Sequence, residues 1–108
     1  MGDVENSEPR PEETQMPLPP ASFTFIVLSL RAQAEMQLGL MHFGQEEEPT
    51  PDLPMARHSI DLLAILRDKT KGNLSLEEQR LLENSLTELR FRFVQVSGEV
   101  AKGEPQKA

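Results

Sequence analysis

The sequence predicts an all-α fold: a three-helix unit with a helical hairpin and disordered termini. Three observations carry that expectation. Apolar residues recur at steps of three and four in three separate segments, the spacing that keeps side chains on one helical stripe. Each segment is preceded by a residue whose side chain can accept a bond from a first-turn amide: Ser22, Asp52 and Ser75. Gly- and Pro-containing polar stretches separate the segments. The predicted helices cover 23–41, 53–71 and 76–96.

Before the first helix, Pro9, Pro11, Pro17, Pro19 and Pro20 crowd into twenty residues. The same stretch sets Asp3, Glu5, Glu8, Glu12 and Glu13 against Arg10, a balance of −4. With so few large apolar residues it cannot offset the entropy of ordering it, so 1–21 is expected to be a disordered acidic tail. It lacks the basic and apolar character of a signal peptide.

In the first segment Phe23, Val27, Leu30, Ala34, Gln37 and Met41 form the stripe, while Phe25, Ile26, Leu28 and Ala32 spread apolar surface around the helix. Such a helix calls for burial on more than one side. Gly39 lies near its end and Gly44 is the expected stop, followed by the polar loop QEEEPTP. In the second segment Pro54 fits the first turn, where amides have no helical partner. Leu53, Ala56, Ile60, Leu63 and Ala64 share one face, and Met55, Leu62, Ile65 and Leu66 lie roughly opposite. Two apolar sides mark it as a central helix, covered by the other helices, by another subunit, or by both.

The third segment has the clearest start. Lys69 and Lys71 suit the negative end of the preceding helix, Gly72 suits a left-handed turn, and Ser75 with Glu78 has the capping-box spacing. Leu82, Leu86, Leu89, Phe93 and Val96 then continue an unbroken seam. The alternation in FRFVQV permits a short strand, but the seam running through it favours helix. The remainder, 97–108, reads as a flexible C-terminal tail, leaving a helical domain at 22–96. Five Met look like gap-fillers, with Met36 and Met41 also suited to an adaptable contact surface.

The segment IDLLAILRDKTKGNLSLEEQRLLENSLTELRFRFV, residues 60–94, resembles a bacterial family known only as a domain of unknown function, number 1844. Ile60, Asp61, Leu63, Leu66, Lys69, Thr70, Gly72, Asn73 and Leu74 carry its hairpin, with Leu81, Leu82, Leu86, Leu89, Arg90, Phe93 and Val94 beyond it. Ser29, Leu30, Leu38 and Gly39 fit its first helix, and Asp52, Leu53 and Ala56 its second-helix entry. The resemblance implies a small soluble bacterial protein and transfers no activity and no site residue; a cytoplasmic location is expected.

Composition narrows function. The 108 residues include no Cys, which removes disulfides, Cys-based zinc sites and thiol nucleophiles. No apolar stretch has the length of a membrane span. Most of the net charge of −7 comes from the tail, with the rest from Glu46, Glu47 and Glu48. His42 lies near those glutamates, but a proline-flanked acidic run is better read as a solvated loop than a metal site. His58, Ser59 and Asp61 are successive on one helix and point in different directions, so they cannot form a catalytic triad. No enzyme constellation and no cofactor is implied. Arg67, Lys69, Lys71, Arg80, Arg90 and Arg92 are offset by local acids, and Trp and Tyr are absent, which argues against nucleic-acid binding.

Two function classes remain. The favoured one is a non-catalytic assembly or adaptor module with an unidentified protein partner. It is expected to self-associate, most simply as a C2 dimer, since a core of about 75 residues is marginal alone. The candidate contact surface comprises Phe23, Ile26, Val27, Leu30, Met55, Leu62, Ile65, Leu66, Phe91 and Val94. The alternative is a small-anion, nucleotide or RNA-binding protein using Lys69, Lys71, Gly72, Asn73 and Ser75 at a helix N-terminus.

Overall fold

The computed structural model describes residues 17–41 and 50–103. Three helices are present: α1 (Phe23–Gln37), α2 (Leu53–Lys69) and α3 (Leu76–Ala101). Every predicted helix forms, and FRFVQV is helical. Residues 17–22 are exposed and carry no regular secondary structure. The rest of the acidic tail, the segment 42–49 with His42 and Gly44, and the last five residues lie outside the described residues.

All three starts follow the local chemistry of their caps. The Ser22 hydroxyl accepts from the Phe25 amide at 3.0 Å, and the Asp52 carboxylate accepts from the Met55 amide at 3.1 Å. At α3 both halves of the capping box are made: the Glu78 amide donates to the Ser75 hydroxyl at 3.1 Å, and the Ser75 amide donates to the Glu78 carboxylate at 2.9 Å.

The ends correct the sequence reading. The first helix stops at Gln37, not at 41, and Gly39, not Gly44, terminates it. Gly39 takes φ +79°, its amide donates to the Met36 carbonyl, and the Leu40 amide donates to the Glu35 carbonyl. These are the paired bonds of a Schellman turn; Leu38, just before it, continues the stripe of Val27 and Ala34 and is fully buried. The second helix ends at Lys69 rather than 71, where Thr70 folds its hydroxyl back onto the Leu66 carbonyl at 2.7 Å. Gly72 has φ +87°, as its place in the turn requires. The third helix runs five residues beyond the expected 96, so 97–101 belong to α3 and not to a flexible tail. Gly98 stays helical, and the left-handed stop is Gly103 at φ +78°.

Each helix touches the other two. Arg57, Ile60 and Asp61 of α2 line one depression with Arg90, Phe93 and Val94 of α3, while Arg67 and Asp68 line another with Gln79 and Glu83. The two helices therefore run antiparallel, joined by the short turn at 70–75. The first helix lies against both. Its last carbonyl, on Gln37, accepts from the Asp52 amide at 2.7 Å, tying the end of α1 to the start of α2.

The core is Val27, Ala34 and Leu38 from the first helical segment, Ala56, Ile60 and Leu63 from α2, and Leu82, Leu86, Leu89 and Val96 from α3. The predicted α3 seam is thus buried, with Phe93 half-buried beside it. Two serines are fully buried with these residues. Ser59 donates to the Gln37 side-chain carbonyl at 2.6 Å and accepts from the Gln33 amide at 3.0 Å. Ser85 accepts from Arg31 at 3.4 Å, and Arg31 is paired with Glu35 at 3.2 Å.

Candidate functional site

The Lys69–Asn73 turn brings cations close together in sequence but not onto one surface. An open depression of about 320 Å³ lies beside it, lined by Arg67, Lys71 and Gly72 together with Asp68 and Glu83. Its charges are balanced, and Arg67 is already on Asp68 at 3.1 Å. Lys69, Asn73 and Ser75 do not line it. At about 100° per residue, Lys69 projects from the side of α2 away from Arg67. The N-terminus of α3 offers little to an anion, since the Ser75 amide holds the Glu78 carboxylate, and Glu77 and Glu78 place negative charge in the first turn.

The remaining cations do not make a basic face. Arg92 pairs with Glu88 at 3.1 Å, as the spacing predicts. Arg80 has no ion-pair partner among the described residues. Arg90 and Arg92 are separated by about 200° around α3. His58 is exposed on α2 and Ser59 is buried, bonded to Gln33 and Gln37, so the two do not act as a pair. Among the described residues no group of three or more His, Cys, Asp or Glu is placed to hold a metal.

The apolar surface is the more distinctive feature. Of the ten residues expected at a contact surface, Ile26, Met55, Ile65, Phe91 and Val94 are exposed, and Phe23, Leu30, Leu62 and Leu66 are half-buried. Val27 is corrected: it is fully buried and belongs to the core. It projects toward α2 and α3, while its neighbours Phe25, Ile26 and Leu28 point elsewhere around the same turn. Sequence reasoning left Phe25 and Leu28 out of the contact surface and named Met36 only as suited to one, yet all three are about half exposed. Phe25 and Met36, three turns apart, lie on the opposite side of α1 from Val27 and Ala34, with Leu28 at the edge of that side. The second face of α2, around Met55 and Ile65, is also uncovered within one chain.

These features define an all-helical three-helix unit with polar turns and substantial apolar surface left outside. Among the described residues no helix is long and apolar enough to cross a membrane. The chain belongs to the family described as domain of unknown function (DUF1844), whose model matches residues 20–95. That span takes in all of α1, α2 and most of α3. No curated protein and no solved structure gives a significant match.

Proposed function

We propose that this protein is a non-catalytic helical assembly module that self-associates, most simply as a C2 dimer, and presents helical surface to a protein partner. Its supporting observation is the apolar exposure: Phe25, Ile26, Leu28, Met36, Met55, Ile65, Phe91 and Val94 all stand in solvent around a core built from small and medium side chains. Scattered apolar residues are ordinary on a protein surface, but runs of them at helical spacing mark contact sites. A bacterial, cytoplasmic setting is part of this reading.

Size-exclusion chromatography with light scattering tests it. A mass above that of the 12.2 kDa chain, falling on dilution, is expected; a clean monomer at every concentration to the high micromolar range refutes self-association. The competing small-anion, nucleotide or RNA-binding reading rests on the Lys69–Asn73 turn, of which Lys71 and Gly72 line the 320 Å³ depression. It requires measurable binding of phosphate-containing ligands, lost on replacing Lys69 and Lys71 by Ala with no change in melting temperature.

A further inference from the structure

The uncovered surface of α1 has a composition that selects its occupant. Phe25, Ser29, Ala32 and Met36 step by four, three and four, within about 60° of one another on the side opposite Val27 and Ala34. Leu28 and Ile26 flank this stripe. Phe25, Ile26, Leu28 and Met36 are 44%, 48%, 45% and 48% exposed. The helix has only two charged residues, Arg31 and Glu35, and they pair with each other at 3.2 Å, with Arg31 also reaching Ser85 on α3. The stripe itself therefore carries no charge, and the Arg31–Glu35 pair lies beside Leu28 at its edge.

From this we infer that the outer face of α1 docks on the same face of a second copy, with the two helices antiparallel. The inference rests on the self-association proposed above and assigns it a surface. An uncharged stripe has nothing with which to select a charged partner, and an identical uncharged stripe is complementary to it. In a C2 contact the same patch meets itself. An antiparallel register places Phe25 over the partner's Met36 at both ends and Ser29 over the partner's Ala32 at the centre. The small central pair lets the helices approach closely, the ends gain sulfur–aromatic contacts, and opposed helix dipoles attract. Phe25 and Met36, each about half exposed, supply the large side chains of the contact, with Ile26 and Leu28 at its edges. Such a contact is small for a specific interface, and the dimer is one that dissociates on dilution. A lipid surface fits less well, since an interfacial helix flanks its apolar face with Lys and Arg, and the one cation of α1 is engaged with Glu35 and Ser85.

A charge exchange tests both the face and the register, read as the self-dissociation constant by sedimentation at low ionic strength. Ser29→Lys and Ala32→Glu should each weaken association at least tenfold, because each buries an unpaired charge against a small neutral residue of the partner, with its like-charged copy about one turn away across the dyad. The double variant S29K/A32E should recover most of it, since Lys then faces Glu twice. Circular dichroism checks that each variant folds, and Phe25→Glu replaces Ala32→Glu as the disrupting change if that variant does not. A double variant that stays as weak as the single ones overturns the antiparallel register. Association untouched by S29K but abolished by Ile65→Lys or Val94→Lys overturns the assignment to α1 while self-association stands. A wild-type chain that is monomeric throughout overturns both. A monomer whose α1 binds phosphatidylcholine–phosphatidylglycerol vesicles, with binding lost in F25E, overturns the second copy as occupant.

Discussion

The two buried serines should respond differently to removal of their hydroxyls, although both are fully buried and each sits on a different helix facing α1. Ser59 makes a short bond to the half-buried Gln37 carbonyl at 2.6 Å and a second, at 3.0 Å, from the exposed Gln33 amide. In Ser59→Ala the Gln33 amide turns to water at little cost, while the Gln37 carbonyl is left poorly satisfied. A neutral hydrogen bond contributes about 1 kcal/mol net, and a stranded buried acceptor costs about 1–3 kcal/mol, so a loss of about 1–2 kcal/mol is expected. For a folded unit of this size that is about 5–12 °C in melting temperature. Ser85 has one bond, at 3.4 Å, from an Arg31 that keeps Glu35 and is partly solvated. Ser85→Ala should therefore cost about 0.5 kcal/mol or less. Urea unfolding at one fixed protein concentration is the assay, because association makes apparent stability depend on concentration. Equal losses in the two variants, or a neutral Ser59→Ala, would refute the reasoning that acceptor burial sets the cost.

Two glycine substitutions should have opposite signs. Gly72→Ala is expected to destabilise by about 1 kcal/mol because φ is +87°, even though an added Cβ would meet nothing within 4 Å. Gly98→Ala, in an open helical position, should stabilise by about 0.5–1 kcal/mol; thermal melts at matched concentration measure both. Ser75→Ala removes one arm of the capping box and should cost about 1 kcal/mol, with faster amide exchange in the first turn of α3 as the accompanying readout.

Much of the architecture was legible because it is set by neighbours in the chain. Ser22, Asp52 and Ser75 each cap a helix with a bond to a residue three positions on, which needs no tertiary information. The α3 seam was also readable, since Leu82, Leu86, Leu89 and Val96 share a face whatever lies opposite. Helix ends were less so. Gly44 was the expected stop of α1 where Gly39 serves, and the third helix, expected to end at 96, runs through Gly98 to Ala101. At Gly39 the chain turns left-handed and the Gln37 carbonyl is tied to the Asp52 amide at the start of α2, while Gly98 stays helical beside the buried Val96.

The candidate site divides the same way. The sequence located the KTKGNL turn and the second apolar face of α2, but not which side of each helix the partners would occupy. Val27 and Phe25 are both large, apolar and two residues apart, and one is fully buried while the other is half exposed. By itself the sequence determined the number of helices, their starts and the family, because capping and periodicity are short-range. Only the tertiary structure decided that Ser59 and Ser85 are core residues, and that α1 keeps an uncharged stripe outside. Those outcomes depend on how three helices divide their surfaces among contacts distant in sequence.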